Sequence, residues 1–120
     1  MLEEYKSFLA TLTKLSREEE EELWKQYKEQ DLLEARQSLI EHYQPLVFRE
    51  AMKYGLQEAV TLDLIQEGTV GLMEAVERFD PSQGVAFSLY ALHRVRGRML
   101  NFLRRNGSEV LLDDGEEEKV

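Results

Sequence analysis

Two helical periodicities of opposite charge follow one another between Asp63 and Arg105, separated by a break around Pro81 and Gly84. At about 100° per residue, Asp63, Gln66, Glu67, Val70, Glu74 and Glu77 fall on one side of the first helix. Ile65, Gly68, Leu72, Ala75, Val76 and Phe79 fall on the other. The first set is expected to face outward and the second to face a core. Thr61 is placed to act as N-cap, and acids in the opening turns suit the positive end of the helix dipole. Pro81 disfavours helical geometry at Asp80, Gly84 is free to take positive φ, and a second helix is expected from Phe87 or Ser88. Two faces of opposite sign imply two different partners, although periodicity alone does not separate a docking face from a solvated one.

On the second helix Tyr90, Arg94, Arg98, Asn101 and Arg105 form a stripe, with Gly97 and Arg104 beside them and Ala91, Val95, Met99, Phe102 and Leu103 opposite. No acid occurs between Val85 and Ser108, so Arg94, Arg96, Arg98, Arg104 and Arg105 give this window a charge of +5 in a chain of net charge −9. Guanidinium groups hold phosphates and aromatic rings stack on unpaired bases, so the pattern suits nucleic acid. The alternative is a basic helix that pairs with the chain's own acids, as Arg96, off the stripe, is placed to do.

The rest of the chain reads as helix. Leu2, Tyr5, Phe8, Leu9 and Leu12 predict a short amphipathic helix. Ser16-Arg17-Glu18-Glu19 is a capping-box pattern that opens a second, with Leu23, Trp24 and Tyr27 on its apolar side. Leu32, Ala35, Leu39, Tyr43, Leu46, Val47 and Tyr54 mark a long third helix ending near Gly55, which Pro45 should kink or interrupt. Glu50 falls among those apolar positions and is expected either to pair with a base such as Arg36 or Arg49 or to be exposed. No alternating strand pattern of useful length is present. The expected fold class is therefore all-α: one compact domain of about four to five helices over residues 1–106. Residues 107–120 carry six acids against Lys119 and read as an acidic flexible tail or linker.

The run DLIQEG, then GLMEAVERFD, then G-x-x-F-S-x-Y-A resembles region 2 of the sigma-70 family of bacterial RNA polymerase sigma factors. LSREEEEELWKQYKEQDLLEARQSLIEHYQPLV resembles the segment that precedes and begins region 2. The continuation from Ala91 to Leu100 is similar to alternative sigma factors, such as the flagellar type, more than to the housekeeping one. The resemblance covers most of residues 15–105. It implies a domain that binds the RNA polymerase core, on the clamp coiled coil of its largest subunit, and that recognises and melts the minus-10 promoter element through the non-template strand during transcription initiation. Asp63, Gln66 and Glu67 match docking positions, with Thr69 and Met73 as weaker matches. Phe87 and Tyr90 match aromatic positions of the DNA-binding helix, and Arg94, Arg98, Asn101 and Arg105 are inferred backbone contacts.

Three departures bear on function. Val85 stands where housekeeping members have an aromatic residue, and His93-Arg94 where they have a tandem tryptophan pair. Gly97 and Leu100 occupy positions that read the upstream edge of the minus-10 element in housekeeping members. Glu50 stands where the family usually has an apolar residue. A second function remains open: a helical interaction module, a polymerase decoy or anti-sigma target, without DNA binding.

Other chemistry finds little support. The absence of cysteine excludes disulfides and thiolate metal sites. His42 and His93 lie on different expected helices without ligand spacing, and no phosphate-cradling glycine loop or nucleophile set is present. The expectation is no enzyme, no cofactor, no metal and no membrane span, with a cytoplasmic location, an anti-sigma factor as a further partner, and a chain that is a domain fragment of a longer protein.

Overall fold

A computed structural model describes residues 1–106; the acidic segment expected over 107–120 lies outside them. The elements are α1 (Leu2–Thr11), α2 (Arg17–Gln30), α3 (Leu33–His42), α4 (Gln44–Met52), α5 (Glu58–Arg78), a 3₁₀ turn (Pro81–Gln83) and α6 (Phe87–Arg105). The fold is all-α, and its sixth helix arises because the expected long third helix is two. Pro45 has no N–H, and inside a continuous helix its ring would strike the carbonyl of Glu41. The chain therefore leaves helical geometry at Tyr43 (φ −98°, ψ 5°) and restarts with Pro45 in the first turn of α4, where a missing donor costs nothing. Leu32, counted on the apolar stripe, is instead the exposed N-cap residue of α3.

The capping box of α2 forms as expected. Glu19 N donates to Ser16 Oγ at 3.0 Å and Ser16 N to Glu19 Oε1 at 2.8 Å. The cap expected at Thr61 does not form. Gly55, at φ +61°, turns the chain early enough for α5 to begin at Glu58 with Gln57 as N-cap. Thr61 is buried within the first turn and donates through Oγ1 to the Leu56 carbonyl at 3.2 Å.

Helices α5 and α6 pack antiparallel, and two glycines set how closely. A Cβ on Gly71 would lie 2.8 Å from the carbonyl oxygen of Arg94, and one on Gly68 would lie 2.5 Å from the Met99 methyl and 2.9 Å from Val47. Around this crossing Leu64, Leu72, Ala75, Val76, Ala91, Val95 and Met99 are fully buried, joined from α3 and α4 by Leu39, Val47 and Ala51. A second part of the core is aromatic. Phe87, opening α6, has ring centroids of Tyr43, Trp24 and Phe79 at 4.8, 4.9 and 5.1 Å, within the range where tilted and edge-on pairs attract. Glu20 serves the polar atoms of this cluster, accepting from Tyr43 Oη at 2.8 Å and Trp24 Nε1 at 3.1 Å. On the far side α1 is held by buried Leu2 and by Tyr5, whose hydroxyl donates to Gln44 Oε1 at 2.8 Å. Among the described residues no helix is long and apolar enough to cross a membrane.

Candidate nucleic-acid interface

The acidic side of α5 and the basic side of α6 meet each other. Glu67 and Glu74 are two turns apart on α5, Arg98 and Arg105 two turns apart on α6, and the antiparallel crossing brings the two pairs together. Arg98 donates through Nε to Glu74 Oε1 at 3.3 Å and through a terminal nitrogen to Glu74 Oε2. Arg94 stands 3.8 Å from Glu74, while Arg98 and Arg105 stand 3.9 and 3.6 Å from Glu67. The hydrogen bond from Arg98 holds the Glu74 carboxyl below the ordinary glutamate range; slight burial opposes this, and the charges of Arg98, Arg94 and Arg78 reinforce it. Arg98 is raised in turn, mainly by the same bond. The expectation of two faces addressed wholly to two partners is thus corrected: helical spacing turns Glu67, Glu74, Arg94, Arg98 and Arg105 toward a shared seam.

Arg96, on the other flank of α6, also pairs within the chain. Its Nε donates to Glu50 Oε2 at 2.9 Å, and Lys53 Nζ lies 3.1 Å from Glu50 Oε1. Glu50 is only 4% exposed, and its partner is neither Arg36, which pairs with Glu77 at 2.6 Å, nor exposed Arg49. Burial pushes its pKa up, but the hydrogen bonds and charges of Arg96 and Lys53 outweigh this and hold it below the ordinary value.

The expected docking residues divide. Asp63 and Gln66 are exposed on α5, with Val70 between them and Glu77. Glu67 keeps 28% of its side chain exposed while engaged by the arginines. Thr69 turns inward and donates to the Ile65 carbonyl at 2.7 Å and to Gln44 Oε1 at 3.3 Å, and Met73 is half-buried against the core.

The DNA set divides as well. Phe87 is 4% exposed within the aromatic cluster and has no face left for a base, which corrects its placement among stacking residues. Tyr90 is half-exposed, backed by Phe79 at 5.6 Å with the Arg94 guanidinium 5.8 Å over its ring. His93, Gly97 and Asn101 are exposed, as is Arg104. Arg94, Gly97, Arg98, Asn101 and Arg104 line an open groove with Glu74 at its edge. Sequence reasoning missed the pairing partners of the stripe, although a signal was available in the matching seven-residue steps of Glu67/Glu74 and Arg98/Arg105 on consecutive helices.

The Sigma-70 region 2 family matches residues 39–109, more than half of the chain. The chain belongs to the sigma-70 region 2 family. The match takes in the end of α3 and all of α4, α5 and α6, hence both sides of the seam. The chain is similar to the RNA polymerase sigma factor FliA of Escherichia coli K12, 46% identical over 70 residues, and to that of Yersinia enterocolitica at the same identity. The FliA protein of Salmonella typhimurium LT2 is 44% identical over 70 residues. Each alignment covers 56% of this chain and 29% or 30% of the relative. The chain therefore spans under a third of the length of these relatives.

Proposed function

We propose that this domain docks on an RNA polymerase core through α5 and binds the non-template strand of the minus-10 promoter element through α6, helping to open the promoter in transcription initiation. Asp63 and Gln66, with Glu67, form the docking face, suited to a basic partner such as the clamp coiled coil of the largest subunit. Tyr90 supplies a ring for an unpaired base, and Arg94, Arg98 and Arg105 supply positive potential along the strand, with His93, Gly97 and Asn101 on the same side. The observation that carries the reading is the partition of charge in a sigma-70 region 2 domain: every acid near the seam stands on α5, and α6 has none.

Glu67 ties the two halves together. A basic partner that takes its carboxylate competes with Arg98 and Arg105 and leaves the Arg105 guanidinium for phosphate, while Arg98 keeps its bonds to Glu74. By linkage, DNA on α6 then favours docking by the same factor.

The test is binding of a minus-10 non-template oligonucleotide to polymerase core with and without this chain. Specific retention that needs both supports the proposal; retention by core alone, or none with both, overturns it. The arginines' engagement with the chain's own acids favours a second reading, an interaction module that binds polymerase or an anti-sigma factor without DNA. Core binding with no oligonucleotide retained is its signature.

A further inference from the structure

Among the paired arginines of α6, one is tied to a carboxylate that solvent does not reach. At about 100° per residue, Arg94, Arg98 and Arg105 lie within about 40° of one another on the flank that meets α5. Arg96 lies on the opposite flank, against Glu50 of α4. The side chains of Glu67 and Glu74 keep 28% and 31% of their surface exposed, that of Glu50 only 5%. Both oxygens of Glu50 are occupied, one by Arg96 Nε and the other by Lys53 Nζ, and both of those cations stand partly in solvent. Arg96 also borders the outward side of α6. Leu89 and His93, seven and three residues before it, and Leu100, four after it, are all exposed.

The two flanks therefore answer a phosphate differently. Glu67 and Glu74 are solvated when a guanidinium turns away from them, so exchanging a carboxylate for a phosphate on the α5 flank is close to balanced. Glu50 has no such recourse. Drawing Arg96 away would leave a buried carboxylate short of a partner, and breaking a buried pair costs more than one surface phosphate contact offsets. Arg96 thus faces solvent without being free to move.

We propose that Glu50 withholds Arg96 from nucleic acid and so confines the phosphate backbone to the α5 flank of α6. Glu50 is a positioning residue that acts through Arg96. It sets which side of the helix the strand follows and how steeply affinity falls with salt. This rests on the reading of α6 as the DNA-binding helix.

The experiment measures the slope of log K against log salt for a minus-10 non-template oligonucleotide bound to this chain assembled with polymerase core. Arg105→Gln is expected to flatten the slope by about 0.7, one phosphate contact on a single strand, and Arg96→Gln to leave it at the parental value. Glu50→Gln releases Arg96 and Lys53 and steepens the slope by about 0.7 for each cation that reaches a phosphate. Adding Arg96→Gln to Glu50→Gln removes the share of Arg96, so one substitution is silent in the parent and costly in the variant. A pair that only braced the fold would move the urea midpoint and leave every slope alone. Glu50→Met, apolar and of similar length, carries the same test if Glu50→Gln does not stay folded. A flatter slope in Arg96→Gln, or a parental slope in a folded Glu50 variant, overturns the proposal alone. Parent protein that retains no DNA, or a slope that Arg105→Gln does not change, overturns the reading of α6 and this proposal with it.

Discussion

Arg105, on the last turn of α6, holds its guanidinium 3.6 Å from the carboxylate of Glu67 on α5. A residue that matches a docking position of the family is thereby paired with a residue proposed as a contact to the DNA backbone. Glu67→Gln should weaken core docking and, in the chain without core, tighten single-stranded DNA binding. The slope of log K against log salt should steepen by about 0.7 for each arginine released to a phosphate. Stability should fall by no more than about 1 kcal/mol, since the pair is partly exposed. An oligonucleotide titration at several salt concentrations reads all of this, and an unchanged slope removes the competition from the mechanism.

Gly71→Ala places a methyl against the backbone carbonyl of Arg94, which cannot rotate away. We expect a loss of about 1 to 3 kcal/mol, the usual cost of overpacking, measured as a lower urea midpoint with little change in m. A midpoint equal to that of the parent would show that the helices separate without cost.

Phe87 and Tyr90 should behave oppositely. Phe87→Ala empties the aromatic cluster and should cost about 3 to 5 kcal/mol of folding stability. Tyr90→Ala should leave the fold largely in place and weaken oligonucleotide binding in the core complex by about 1 to 3 kcal/mol, the worth of one stacked base. Thermal melts alongside binding curves separate the two effects. A folded Phe87→Ala variant with a selective DNA defect would return that ring to the interface.

Acid should loosen the helix pairing on both flanks of α6. Glu50 and Glu74 are held below the ordinary glutamate value of 4.5 in the folded protein. Their contribution is therefore fully present above about pH 4.5 and is lost as pH falls through the lower folded values. In Glu50→Gln/Glu74→Gln, stability at neutral pH should be lower and the decline below pH 4.5 shallower. Urea midpoints from pH 3 to 7 test this, and a parallel decline in parent and variant would assign acid sensitivity to other carboxylates.

The helices and their inward faces were legible because apolar spacing is a local property. The residues at 0, 3, 4 and 7 of α5 and α6 read directly as core, and Ser16 and Glu19 announced a helix start within four residues. Thr61 misled because a threonine before an apolar run looks like a cap, whereas the turn at Gly55 had already started the helix. Phe87 misled because a family position indicates an aromatic ring without indicating its rotation, and rotation here is set by Trp24, more than sixty residues earlier. The Glu50–Arg96 pair spans 46 residues, and helical spacing could demand a partner for Glu50 without naming it.

Trp24 has a larger consequence. It lies on α2, outside the segment that matches region 2, yet it covers Phe79 and Phe87 where α6 begins. The segment that matches the region 2 family is therefore smaller than the set of helices that pack around the start of α6. A chain cut at Leu39 would retain every matched position and still present an uncovered aromatic surface, detectable as binding of a hydrophobic dye. The amino-terminal helices act as a roof over the root of α6, so changes far from its exposed face can still alter how firmly that helix is planted.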